Sequence, residues 1–254
     1  MEAKRFKIRK NIYLTEKLYL LELEGNFNQI PMPGQFVHIK IEPFFLRRPF
    51  SIAGYKDNSF KIFYRIVGRA TELLARKKEG EILDVIGPSG NGFSVNKKWK
   101  KVYLAGGGTG IAPLLFFAEI LTQKNSDITF FYGARNSECI PFGILPYGVS
   151  YVFSTDDGSY GYKGLVGNIL KRYIRKDGVP DVIYSAGPYE MLREIAKISK
   201  RYKVVAFVSL ENRMACGVGI CYGCVTKIKG KDGWEYKRVC KDGPVFNAEE
   251  VLWE

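Results

Sequence analysis

The chain has 254 residues, room for one large domain or for two ordinary ones with a small appendage. Apolar residues make up 46% and charged residues 26%, a balance that excludes a disordered chain. The net charge of +13 is scattered over short pairs such as "RR" and "KK", with no helix-turn-helix, RNA-binding or zinc-finger spacing beside it, so nucleic acid is not an expected partner. The basic surface reads as solvated, with a few anion-binding positions.

The N-terminal stretch "MEAKRFKIRKNIYLTEKLYLLELEG" is broken by charges throughout and offers no apolar signal core. The best apolar run, "IAPLLFFA", is far shorter than the roughly 20 residues that span a bilayer. A cytoplasmic chain without a membrane span is expected, and in that reducing setting five cysteines favour metal ligation over disulfides.

Residues 1–98 read as β-rich, with short runs such as "FVHIKI", "FKIFYRIV" and "EILDVIG" between turn signals, the pattern of a small antiparallel barrel. The single histidine, His38, lies in one of these strands, where a structural role is expected; its being alone excludes two-histidine Rieske and three-histidine zinc sites. In "LRRPFSI", adjacent Arg47 and Arg48 on extended chain face opposite ways, one inward and one into solvent. An inward arginine followed by Pro49, Phe50 and Ser51 has the chemistry to clamp a pyrophosphate and touch a flat ring, though ordinary strand packing explains the segment equally well. "YRIVGRAT" brings Arg65, Gly68 and a helix expected to start at Thr71.

Residues 99–210 change pattern: five apolar runs, "VYLAGG", "ITFFYGA", "YVFSTD", "VIYSAG" and "VAFVSL", are interleaved with the helical candidates "IAPLLFFAEILTQK", "LVGNILKRYIRK" and "YEMLREIAKISKRY". Such alternation predicts a parallel, Rossmann-like sheet covered on both faces. Its first strand ends in Gly106, Gly107, Gly108, Thr109 and Gly110 before a helix near Ile111, a turn that lets backbone approach a dinucleotide pyrophosphate. Further strand ends, including "SAGP" with Gly187 and Pro188, fall on the same edge.

Residues 211–254 carry Cys216, Cys221, Cys224 and Cys240, spaced C-x4-C-x2-C with fifteen residues before the fourth. That is the plant-type [2Fe–2S] spacing, and the neighbouring glycines allow N–H groups to turn toward sulfur. Zinc remains the alternative, and Cys139 reads as a bystander. So short a segment would be organised by its metal centre.

Together "RRPFSI", "GGGTGIAPLL", "TDDGSYGYKG", "AGPYEML" and above all "SLENRMACGVGICYGCV" resemble the electron-transfer subunits of dihydroorotate dehydrogenase B, within the ferredoxin–NADP reductase superfamily. The resemblance implies an FAD-binding barrel, a central NAD domain and a [2Fe–2S] segment. It assigns FAD to Arg48, Pro49, Phe50 and Ser51 with Arg65, Ile66, Val67, Gly68, Ala70 and Thr71, and the cluster to the four cysteines. Two departures stand out: Ala186-Gly187-Pro188 where many members have Cys-Gly-Pro, and Phe50 where tyrosine is usual. The resemblance further implies a catalytic partner subunit carrying FMN, in a heterotetramer of two of each, which sends electrons through the cluster and FAD to NAD+ in pyrimidine biosynthesis. Dihydroorotate oxidation itself needs a TIM barrel of roughly 250 residues, and all 254 here are already allotted. Related readings are a sulfhydrogenase gamma or ferredoxin:NAD(P) reductase type of subunit, or a zinc-stabilised binding protein.

Overall fold

A computed structural model describes residues 2–15, 17–124 and 126–253. Strands β1 (Ala3–Thr15), β2 (Leu18–Glu24), β3 (Phe36–Ile39), β4 (Arg48–Lys56), β5 (Ser59–Arg65) and β6 (Ile82–Ser89) close an antiparallel barrel in the order β1-β2-β5-β4-β3-β6. Alternation along the strands sends Phe6, Ile8, Leu21, Leu23, Ile52 and Ile62 inside. Helix α1 (Arg69–Ala75) begins two residues before the expected start, with Gly68 at its cap. Thr71 therefore lies in the first turn, where its hydroxyl accepts from the Val67 and Gly68 amides at 2.9 and 3.2 Å.

Strands β7 (Lys101–Gly107), β8 (Asp127–Ala134), β9 (Ser150–Thr155), β10 (Tyr162–Lys163), β11 (Val182–Ala186) and β12 (Val205–Ser209) form the expected parallel sheet, ordered β10-β9-β8-β7-β11-β12. Helices α3 (Val166–Asp177) and α4 (Tyr189–Tyr202) are amphipathic and bury Leu170, Ile174, Leu192 and Ile195 on one face of it. Helix α2 (Ile111–Thr122) is apolar on most sides, because it lies between two partners: Leu114, Phe117 and Leu121 pack on the sheet, while Phe116 joins the barrel's core and the half-buried Ile120 packs against it.

The C-terminal segment adds the hairpin β13 (Val225–Gly230) and β14 (Gly233–Arg238) and the short strand β15 (Val245–Asn247), which pairs antiparallel with β12 as Val208↔Phe246. Its apolar residues Ile228, Val239, Phe246 and Val251 bury in the same core as α3 and α4, and Cys224 and Cys240 bury with them. A metal centre is thus not its only organiser, since borrowed apolar core already holds it in place. The barrel also grips it: the Asn91 side chain donates to the Asp242 and Val245 carbonyls at 3.1 and 2.9 Å and accepts from the Val245 amide at 2.9 Å.

Strand β3 is buried on both faces. Val37 and Ile39 belong to the barrel interior, whereas Phe36 joins the core shared by the sheet and the cysteine segment. Removing the three Asn91 bonds by Asn91→Ala is expected to cost about 1–3 kcal/mol. By differential scanning calorimetry the midpoint should fall by roughly 2–10 °C.

Candidate functional site

Two clefts open where the barrel, the sheet's carboxyl edge and the C-terminal segment meet. The first, about 360 Å³, is lined by Arg48, Pro49, Phe50 and Ser51 of β4 and by Phe63, Tyr64 and Arg65 of β5, with Val67 and Thr71 beyond them. Across from these stand Pro113 of α2, Ala186 of β11 and Asn212 and Met214 of the C-terminal segment. The two adjacent arginines part as expected, but Arg47 is not left to solvent. It is tied to β6, donating to the Asp84 carbonyl at 3.0 Å and pairing with the Asp84 carboxylate at 3.0 Å. Arg48 stays at the cleft, its guanidinium on the Leu46 carbonyl at 2.6 Å and 5.1 Å from the centre of the Phe44 ring.

Phe50 and Tyr64 meet edge to face at 5.8 Å. Burial pushes the Tyr64 phenol well above its usual range, and the hydroxyl donates to the Asn11 side chain at 3.0 Å, so it serves as a neutral polar group. A guanidinium, two rings and the Ser51 hydroxyl suit a flat heterocycle carrying anionic phosphates. Of the residues expected here, Ile66, Gly68 and Ala70 do not line the cleft: Ala70 is packed into the barrel core, and Gly68 is exposed at the turn that Thr71 fastens.

The second cleft, about 920 Å³, lies over the carboxyl edge of the sheet. Gly107, Gly108, Thr109 and Gly110 form one wall and Gly187 and Pro188 another, as the strand-end reading expects. Gly108 takes φ +56, a conformation natural to glycine, and a Cβ on Gly110 would fall 2.5 Å from the Ala186 backbone. Gly106 stands behind the wall, packed against Phe130 and Leu114. Farther out are Arg135, Asp156 and the Lys171–Glu194 ion pair at 2.8 Å.

Arg65, Thr109, Gly110 and Glu211 line both clefts. Glu211 was not singled out by sequence reasoning, whose only available signal was its place just past the carboxyl end of β12. Its side chain keeps open surface toward the clefts, yet the surrounding protein raises its carboxyl above the usual range. A molecule in either cleft therefore meets the same acid.

The four cysteines form the third part. Cys216 interacts with Cys221, and Cys240 with Cys224 and also with Cys216. Four thiols in this spacing suit the two irons of a [2Fe–2S] cluster. Backbone N–H groups of Ile220 and Cys221 donate to the Cys216 sulfur, that of Gly223 to Cys221 and that of Cys240 to Cys224, each at 3.4 Å. Gly217 and Gly219 reach φ +66 and +82 to permit this wrapping. The donor set fits a [2Fe–2S] cluster. Cys139 lies elsewhere, buried beside the second cleft.

The lone histidine has an unexpected neighbour. His38 is buried under the cysteine loop, its Nε2 3.2 Å from the Gly217 carbonyl and its ring edge-on to Phe36 at 5.1 Å.

Burial disfavours the Cys216 thiolate, but N–H groups of Cys221, Val218 and Ile220 outweigh it and bring the thiol down to about 6. Burial, then the Cys224 thiol, pushes Cys240 up to about 12. In metal-free protein, iodoacetamide should label Cys216 with a rate that rises through pH 6, while Cys240 stays unlabelled at neutral pH; peptide mass mapping across a pH series reads both.

Residues 211–252 match the family model described as the iron-sulfur cluster binding domain of dihydroorotate dehydrogenase B. The chain is 38% identical over 248 residues to the dihydroorotate dehydrogenase B (NAD(+)) electron transfer subunit of Caldanaerobacter subterraneus subsp. tengcongensis, covering 97% of each. It is 37% identical to the Enterococcus faecalis protein of the same name, covering 94% of each. Among solved structures it is similar to a chain of the NADH-dependent reduced ferredoxin-NADP oxidoreductase, with TM-score 0.85, 29% identity and coverage of 98% and 90%. A Neisseria gonorrhoeae ferredoxin NADP+ reductase with bound FAD and NADP shares the fold, with TM-score 0.67, 17% identity and coverage of 84% and 95%. With full-length relatives, a matching cysteine segment and a shared reductase fold, the chain belongs to the family of dihydroorotate dehydrogenase B electron transfer subunits.

Proposed function

We propose that this chain carries electrons from a dihydroorotate-oxidising catalytic subunit to NAD+, with FAD in the first cleft, the nicotinamide nucleotide in the second and a [2Fe–2S] cluster on the cysteine loop. The observation that carries it is the shared wall: Arg65, Thr109, Gly110 and Glu211 border both clefts, so two flat rings can be brought face to face. Nicotinamide accepts hydride and iron–sulfur clusters pass single electrons, and a bound flavin supplies the exchange between them. Arg48 binds flavin phosphate, Pro49, Phe50 and Ser51 orient its ring, and Thr71 keeps the Val67–Gly68 turn shaped around it. Gly107 to Gly110 with Gly187 and Pro188 seat the nucleotide, and Pro113 and Ala186 exclude water between the rings. Cys216, Cys221, Cys224 and Cys240 ligate the cluster.

The domain division 1–98, 99–210 and 211–254 follows from these roles, although β15 crosses into the central sheet. A heterotetramer of two electron-transfer and two FMN-bearing catalytic subunits, in the cytoplasm, completes the reading. No helix among the described residues is long and apolar enough to cross a membrane.

The test is NAD+ reduction on addition of dihydroorotate to the chain, loaded with FAD, iron and sulfide and mixed with the catalytic subunit of the same cell. Absence of both flavin absorbance and a reduced-cluster EPR signal would defeat the reading. Loaded protein that reduces NAD+ from reduced ferredoxin, and never from dihydroorotate, would favour the second reading, to which the ferredoxin-NADP oxidoreductase likeness points. Light scattering on the mixture gives the stoichiometry. Arg48→Ala should weaken FAD binding about 10- to 100-fold, the loss of a charge-assisted phosphate contact, as read by flavin fluorescence titration.

A further inference from the structure

Strand β3 faces both redox sites at once. Its outer face carries Phe36, which lines the first cleft, and two residues on His38, which reaches the cysteine loop. Backbone register ties the same strand to the flavin segment, Phe36 opposite Ser51 and His38 opposite Pro49. The loop is seated directly on the imidazole: a Cβ on Gly217 would lie 2.1 Å from the His38 ring. A carbonyl oxygen can only accept, so the 3.2 Å contact to Gly217 requires that His38 carry its proton on Nε2. The same loop runs on through Val218 to Ile220 and Cys221, whose N–H groups donate to the Cys216 sulfur at 3.4 Å. The imidazole therefore anchors the peptide that lies between Cys216 and the amides serving its sulfur.

We propose that His38 is a positioning residue for the cluster: by donating to the Gly217 carbonyl it fixes the loop on which the Ile220 and Cys221 N–H groups meet the Cys216 sulfur, and so raises the cluster's reduction potential. Hydrogen bonds to sulfur disperse the negative charge that grows on reduction, so their loss favours the oxidised state. This inference rests on the cluster reading above.

The experiment is EPR-monitored redox titration of cluster- and FAD-loaded protein, prepared without a histidine tag, comparing wild type with His38→Met and His38→Gln. Methionine fills the space without a donor, and glutamine places an amide N–H near the position of Nε2. His38→Met should shift the one-electron equilibrium toward the oxidised cluster by about three- to tenfold, tenfold being about 59 mV. His38→Gln should stay within about twofold of wild type, and FAD content should be unchanged in both. An unaltered potential in His38→Met, or equal shifts in both variants, overturns the proposal. No cluster signal in wild type overturns the underlying reading instead. Should His38→Met fail to hold a cluster, the unaltered protein decides: because the chain has one histidine, [15N]histidine NMR of the oxidised holoprotein reports this ring alone. A proton on Nε2 together with a wild-type potential in His38→Gln supports the proposal, and a proton on Nδ1 or a shifted potential in His38→Gln refutes it.

Discussion

Helix α2 is the constraint from which the remaining architecture follows. A helix apolar on most of its sides needs partners on more than one face, and here it is wedged between the sheet and the barrel, with Glu119 left toward solvent. Burying Phe116 in the barrel's core, with Ile120 packed against it, while Leu114 and Phe117 pack on the sheet fixes how the two halves meet. Fully burying a side chain of this size contributes about 1.5–3 kcal/mol. Both clefts open along that seam, and the glycine turn that begins α2 supplies part of each. The geometry between cofactors is therefore a by-product of how the core is packed.

Polar chemistry then refines what the apolar seam makes possible. Arg47 and Arg48 share a charge and a neighbourhood but divide the labour: one is spent on Asp84 to hold strand order, the other remains at the cleft. At the Cys216 sulfur the chain supplies backbone N–H groups, which lower that thiol, while the Arg238 guanidinium braces the same loop by donating to the Gly219 carbonyl at 2.8 Å. Glu211, placed between the clefts and held less acidic by its surroundings, is among the described residues the one carboxyl that lines both.

Much of this was legible in the sequence because it is written in period and spacing. Alternation marked the barrel, apolar runs separated by helices marked the parallel sheet, and the cysteine spacing marked the cluster loop before any fold was known. What escaped was set by contacts between distant segments. The start of α1 depended on Thr71 bonding backward to Val67 and Gly68, which a capping rule alone places two residues late. Arg47 looked solvated because nothing local reveals Asp84 on another strand. His38 and Gly217 are 179 residues apart, and their contact has no local trace. Glu211 had position but no motif.

Strand β15 carries a consequence for how such chains can be recombined. Because it pairs with β12, the cysteine-bearing tail supplies the last strand of the central sheet and covers what would otherwise be an open row of amides and carbonyls. The tail is therefore a poor interchangeable part: grafting it elsewhere strips away its core, and cutting it off leaves the donor with a sticky edge. Lineages that gained or lost an iron–sulfur tail on this reductase scaffold would have had to solve edge protection and redox wiring in the same step.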